Sequence, residues 1–237
     1  MSDSRIDAVI FDWGGTLTPW KTMVPLDIWR SYADALHPDD PDRAGEVAAA
    51  ILAAEDARWN TARTRHIAFT VAHVLQDAGV DESEAALTAY RAAIEFATFT
   101  DPDAETMLRQ LRERGLRTGV LSSTAWPADW HEEFLRRDGI LDLFDGVVWS
   151  SDLDYTKPHA DAFRAAMSAV GVEDPERCVY VGDRPYDDVH GAQTIGMRAV
   201  LIPNSDIPAE QQVPIDVTPD AVITSLADLP AVIDRWR

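Results

Sequence analysis

Apolar residues recur along this chain in two patterns, and the switch between them divides it. Six short runs, Ala8–Phe11, Arg117–Leu121, Gly146–Trp149, Cys178–Val181, Ala199–Ile202 and Ala221–Ile223, are continuous rather than alternating and rich in β-branched residues. Runs of that length bounded by turn residues predict strands buried on both faces, as parallel strands are. Between them apolar residues return at helical spacing. Helices are predicted from Asp101-Pro102 to Gly115, from Pro127 to Arg137, from His159 to Val170 with Gly171 in the stop position, near Val189 to Ile195, and from Leu226 onward. Strands alternating with helices predict an α/β fold, a doubly wound parallel sheet. Residues 19–98 break the alternation. They carry helical periodicity only, over 26–36, 43–59, 61–78 closed by Gly79, and 82–97, with His37-Pro38-Asp39-Asp40-Pro41 as a clear stop after the first. The expected organisation is a Rossmann-like core from 1–18 and 99–237, with a small amphipathic helical bundle over 19–98.

What the strands deliver at their ends matters more than their number. The first run leads into Asp12-Trp13-Gly14-Gly15-Thr16, where two glycines allow a sharp turn with exposed amides. That stretch alone suits a reaction centre and, equally, a strand followed by a tight turn whose amides Asp12 satisfies. Two further runs also end in polar groups, Ser122-Ser123 and Gly182-Asp183, the latter followed by Asp187-Asp188; Lys157 opens a helix between them. In a parallel sheet all carboxyl ends share one edge, so these scattered residues converge on one crevice. Asp12, Asp183 and Asp188 are hard oxygen donors of the kind Mg²⁺ takes, and Lys157 would offset remaining phosphate charge.

Composition narrows the partners. Forty-one acidic against 21 basic residues give a formal charge of −20, which repels nucleic acid and anionic membranes and leaves an anionic substrate dependent on local cations. Lys21 and Lys157 are the lysines of the chain. Cys178, the single cysteine, lies in an apolar run and reads as a small buried hydrophobe; no disulfide can form within one chain. With no basic-then-apolar segment at Met1-Ser2-Asp3-Ser4-Arg5 and no apolar run of spanning length, a cytoplasmic protein is expected. The acidic, Pro-containing stretch 204–220 is expected to be a surface excursion.

Taken together, Phe11-Asp12-Trp13-Gly14-Gly15-Thr16-Leu17, Val120-Leu121-Ser122, Lys157-Pro158, and Val181-Gly182-Asp183 with Asp187-Asp188 resemble, in this order and spacing, the four motifs of the haloacid dehalogenase superfamily, and the insert after the first resembles the helical cap of its subfamily I. The resemblance implies a phosphatase acting on a small phosphorylated metabolite, as monomer or homodimer, with Asp12 as nucleophile and an aspartyl-phosphate intermediate. It implies Mg²⁺ between Asp12, the Gly14 carbonyl and Asp183, with Asp188 or Asp187 holding metal-bound water or orienting Lys157. Ser122, the Trp13 and Gly14 amides, Lys157 and, as readily a plain loop hydroxyl, Ser123 would meet the phosphoryl group. The chain departs from the pattern at Gly14, where the family's phosphatases carry a second aspartate as general acid and base. Asp27, His66 or His73 from the helical segment, a water, or the substrate would have to replace it. Arg58, Arg63, Arg65 and His66 are candidates to face the crevice. Other chemistries stay open: a protein that binds a phosphorylated ligand without useful catalysis, or cleavage of carbon–phosphorus or carbon–halogen bonds, against which stand the lack of a suitably placed lysine and the acidic fourth motif.

Overall fold

The computed structural model describes residues 5–203 and 212–237. All six apolar runs form strands of one parallel sheet: β1 Ala8–Phe11, β2 Arg117–Ser122, β3 Gly146–Trp149, β4 Cys178–Gly182, β5 Arg198–Leu201 and β6 Ala221–Val222, in the order β3-β2-β1-β4-β5-β6. β1 is thus central, with Phe11 in register with Val120 on one side and Val181 on the other. Its side chains alternate between two cores. Val9 and Phe11 join the layer formed by α5 (Ala104–Glu113), α6 (Ala128–Arg137) and α9 (Leu229–Asp234), whereas Ala8 and Ile10 meet α7 (Ala160–Ala169) and the four-residue α8 (Gly191–Thr194). Helices on both faces are what make continuous apolar strands affordable in water. On α5, Met107, Leu108 and Leu111 are fully buried at helical spacing, each contributing about 1.5–3 kcal/mol of transfer free energy.

The helical segment packs on the same side as Val9 and Phe11, through α1 (Pro25–Leu36), α2 (Pro41–Arg65), α3 (Val71–Asp77) and α4 (Glu84–Ile94). Its two connections run side by side, since the Asp101 amide donates to the Leu17 carbonyl at 2.8 Å. Four boundaries differ from the sequence reading. The stop at 37–41 is also a start: Asp40 caps α2 by accepting from the Arg43 amide at 3.0 Å, and Pro41 occupies the first turn. The helix predicted over 61–78 is two. α2 continues to Arg65 and ends at His66, which adopts a left-handed conformation (φ 56°); Ile67 then bridges Tyr155 and the Ala68 amide donates to the Asp154 carbonyl at 3.0 Å. A new helix begins where Thr70 and His73 cap each other's amides. Tertiary contact with residues 154–156 thus overrides the apolar periodicity. Finally, the turn at 185–190 has π-type winding before α8, and α9 starts after a 3₁₀ turn at Leu226–Asp228. Part of the excursion expected at 204–220, residues 204–211, lies outside the described residues, as do residues 1–4. Among the described residues no helix is long and apolar enough to cross a membrane.

Candidate active site

The carboxyl edge of the sheet brings β1, β2 and β4 together, and they lead into Asp12, Ser122 and, past Gly182, Asp183. Asp12 follows β1 with its amide donating to the Val181 carbonyl at 2.8 Å, so the strand pairing continues up to the carboxylate. Lys157 reaches it from the opposite core: its Nζ donates to Asp12 Oδ1 at 2.8 Å, Asp188 Oδ1 at 2.7 Å and the Tyr180 hydroxyl at 2.9 Å. Tyr180 in turn donates to the Leu121 carbonyl at 2.8 Å. Three acceptors for three ammonium protons fix the lysine completely. Burial alone would lower the Lys157 pKa, yet the two carboxylates outweigh it and hold the ammonium well above its ordinary range. Asp12 is pushed upward by burial, with Lys157 pulling against that shift.

One oxygen from each of Asp12, Asp183 and Asp188 lies within 4.8 Å of the others, and all three residues are buried. Three carboxylates and one ammonium leave two negative charges in a low-dielectric site, a balance that needs a further cation. The donor set therefore fits a small hard divalent ion. Within the trio the roles separate. Asp188 accepts from Lys157 on one oxygen and from the Arg184 amide at 2.8 Å on the other. Asp183 sits against the first loop, where a Cβ on Gly15 would meet its Oδ2 at 2.2 Å; Gly15 has φ +88°, so both space and backbone demand glycine. Gly182 similarly leaves room for Asp188, whose carboxyl carbon lies 2.3 Å from where a Cβ would stand. Gly14 is different. A Cβ there meets nothing within 4 Å, so sterics do not explain why the position lacks a side chain.

The loop itself is closed by Gly15 donating to the Thr18 carbonyl (2.7 Å) and Thr18 to the Trp13 carbonyl (2.8 Å). The Gly15 amide is therefore spent. Ser122 is buried beside Asp12 on the cavity wall, while Ser123 accepts from the Thr156 hydroxyl at 2.6 Å. Asp187 also lines the cavity; burial raises its pKa to about 6 against the pull of Arg184.

Above this floor is a cavity of about 480 Å³ that the helical segment closes. Trp13, Trp20 and Trp126 line it rather than merely pack, joined by Trp29, Trp59 and Tyr90. The indole N–H groups of Trp13 and Trp20 are buried without a hydrogen-bond partner among the described residues. Of the arginines expected at the crevice, Arg63 lines it; Arg58 is turned to a two-bond pair with Asp77 (2.6 and 2.8 Å), and Arg65 and His66 are off the cavity wall. The stand-ins for the acid at Gly14 fare no better. Asp27 is exposed on α1, His73 caps α3, and His66 faces Tyr186 at 3.4 Å. Sequence reasoning missed Tyr180, which holds Lys157 from beneath the floor, and Arg184, Thr156 and Glu55 of the cavity wall. A signal existed for Tyr180 alone, since a phenol inside a strand buried on both faces must find a partner.

Comparison with known proteins agrees with this geometry. The sequence profile of haloacid dehalogenase-like hydrolases matches residues 6–196. Glyceraldehyde 3-phosphate phosphatase of Pyrococcus furiosus is 34% identical over 134 residues, 56% of this chain and 54% of that protein. Phosphoserine phosphatase of Thermus thermophilus is 38% identical over 101 residues, 43% of this chain and 39% of its own. The chain thus spans about half the length of the curated relatives it matches, or less. Two solved structures align almost completely: a HAD phosphatase from Thermococcus onnurineus (TM-score 0.64, 26% identity, 96% and 98% of the two chains) and a 2-haloacid dehalogenase from Pseudomonas syringae (TM-score 0.66, 26% identity, 98% and 100%). Because the profile takes in the central strand, the helical segment and every acidic strand end described above, the chain belongs to the family of haloacid dehalogenase-like hydrolases.

Proposed function

We propose that the protein is a Mg²⁺-dependent phosphatase of small phosphomonoesters, with a catalytic core over 1–18 and 99–237 and a substrate-selecting helical cap over 19–98. The observation that carries this reading is the lysine-centred floor: a strand-end carboxylate, Asp12, held by a buried ammonium and flanked by Asp183 in a cluster two negative charges out of balance. Asp12 attacks phosphorus, the ester oxygen leaves, and water then cleaves the aspartyl-phosphate to release inorganic phosphate and restore the carboxylate. Ser122 and the Trp13 and Gly14 amides donate to the phosphoryl oxygens, and Lys157 offsets charge between nucleophile and phosphate. Asp188, with both oxygens engaged, acts as the positioning residue for Lys157, which leaves Asp12, Asp183 and the Gly14 carbonyl as the protein's direct contacts for the ion. Mg²⁺ held there supplies charge stabilisation at the phosphoryl oxygens and a template for in-line displacement. The phosphatase names of the sequence relatives support the same reaction, and the three buried acids speak against a metal-free halide site.

Gly14 removes the usual acid–base carboxylate, a contribution of about 10²–10⁴-fold, so good leaving groups should turn over far better than poor ones. The test is release of 4-nitrophenol from 4-nitrophenyl phosphate with Mg²⁺ and after chelation, in wild type and Gly14→Asp, a change the open space at Gly14 accommodates. Mg²⁺-dependent turnover is expected in both. A wild type inert with Mg²⁺ beside an active Gly14→Asp would replace the reading with that of a phosphate-binding protein.

A further inference from the structure

One acid on the cavity wall takes no part in the chemistry proposed above. Glu55, on α2, is half-buried and faces the cavity. Trp29 Nε1 donates to its Oε2 at 2.7 Å, and the Trp59 indole, also on the cavity wall, favours the same charged form. Both indoles are neutral, and among the described residues Glu55 forms no ion pair, so its charge stands uncompensated in an aromatic surround. Burial accordingly raises its pKa, partly offset by the two indoles. The aromatic surface continues from Glu55 toward the reaction floor. The Tyr90 ring lies 4.5 Å from Trp29, its hydroxyl accepts from Trp126 Nε1 at 3.0 Å, and Trp126 stands edge-on to Trp13 at 6.1 Å, next to Asp12 in sequence.

Resting on the phosphatase reading, we propose that the substrate's leaving group is an organic cation, an alkylated ammonium alcohol, whose charged end lies between Glu55 and the faces of these rings while its phosphate lies on Asp12 and Lys157. A carboxylate and several π-faces around one space form the combination that attracts a weakly hydrated cation, each face through its quadrupole and the acid through its charge. A neutral apolar leaving group would suit the rings but leave the half-buried Glu55 without a counter-charge; an anionic one would meet it head-on. Lys21, Asp56 and Arg63 also border the cavity, but all three are exposed, where water and salt screen them.

The test compares, in the Mg²⁺-loaded full chain, phosphate release from phosphocholine and from its uncharged carbon isostere 3,3-dimethylbutyl phosphate, with 4-nitrophenyl phosphate as the wild-type control for phosphatase activity. Phosphocholine should be preferred in kcat/KM by about tenfold or more, and Glu55→Gln, which keeps an oxygen for the Trp29 indole, should lower that ratio by about fivefold or more; a ratio unchanged in the variant overturns the proposal. Turnover of the aryl ester with no preference between the isosteres, or with the neutral one preferred, overturns the cation proposal and leaves the phosphatase reading standing. No turnover of any ester overturns the phosphatase reading and this proposal with it. If Glu55→Gln fails to fold, inhibition of wild-type aryl phosphate hydrolysis by choline against 3,3-dimethylbutanol decides instead: choline must inhibit at the lower concentration.

Discussion

The floor of the cavity and its aromatic wall each place carboxylates inside the protein, and they treat them in opposite ways. On the floor every bond to Lys157 is charge-assisted or anchored to the backbone through Tyr180, and the residues come from β1, the Lys157 loop and the turn after β4. On the wall Glu55 accepts from the neutral Trp29 indole of its own helical layer and, among the described residues, has no cationic partner. A buried ion pair locks geometry, whereas an acid held by neutral donors stays receptive to a cation from outside. On the proposed reading the floor fixes where the reaction happens, and the wall leaves open what is brought to it. Substitutions on the two sides should differ accordingly: those on the floor should cost activity and stability together, those on the wall selectivity.

The largest effect should come from Asp12→Asn. Removing the proposed nucleophile should lower kcat on 4-nitrophenyl phosphate by at least about 10⁴-fold, roughly 5 kcal/mol of barrier, while the circular dichroism spectrum stays native. Wild-type-like turnover would dismiss Asp12 as nucleophile. Next, Lys157→Met should cost about 3–5 kcal/mol of stability at pH 7, because it strands Asp12 and Asp188 without their counter-charge. The variant's pH dependence carries a sign. A stranded buried carboxylate has a folded pKa above its unfolded value, so the variant should regain stability as pH falls through that range. Urea midpoints at pH 7 and pH 5 check both statements, and a small loss at pH 7 would show that the lysine contributes little to the floor.

The floor was legible in the sequence and the wall was not, for a physical reason. Parallel strands buried on both faces announce themselves as continuous apolar runs, and one rule of topology then gathers Asp12, Ser122 and Asp183 at a single edge. Lys157 joined them because lysine is so scarce here. Glu55, Trp29 and Trp59 sit on helices where a residue facing a cavity and one facing solvent obey the same 3.6-residue period. The break at His66 escaped notice because what stops α2 is a contact with residues 154–156, far away in sequence. The separate duties of Asp188 and Asp183 likewise required the bonds to Lys157 and Arg184, which no spacing reveals.

The paired glycines sharpen the comparison at the floor itself. Gly15→Ala should destabilise by about 2–4 kcal/mol, combining a left-handed backbone with a Cβ driven into Asp183. Gly14→Ala should change stability by no more than about 0.5 kcal/mol, since the space around it is open. Equal effects at the two positions would mean that Asp183 does not press on the loop as described.

The smallest effect tests where floor and wall meet. His131 is completely buried, stacked on Trp149 with ring centroids 4.2 Å apart and edge-on to Trp13 at 4.7 Å. Its Nε2 lies 2.9 Å from Thr124 Oγ1, which accepts from the Trp126 amide at 3.0 Å and so has its own proton to give. Its Nδ1 is buried without a hydrogen-bond partner among the described residues, so a protonated ring would carry a buried donor and a charge with nothing to meet either. Burial lowers its pKa to about 3. Between that value and the ordinary value of 6.5 the unfolded chain binds a proton that the native one refuses, so stability falls as pH drops through this window. From pH 7.5 to pH 5 the loss from this one group is about 2 kcal/mol, at 1.36 kcal/mol per unit below the unfolded pKa. Urea unfolding of wild type and His131→Phe at both pH values isolates the term, because the aromatic stack is retained while the titration is not. Phe should show a fall smaller by that amount; an identical fall in the two proteins would mean that His131 takes up its proton in the native state, and that the seam between Trp13 and Trp126 is wetter than its packing shows.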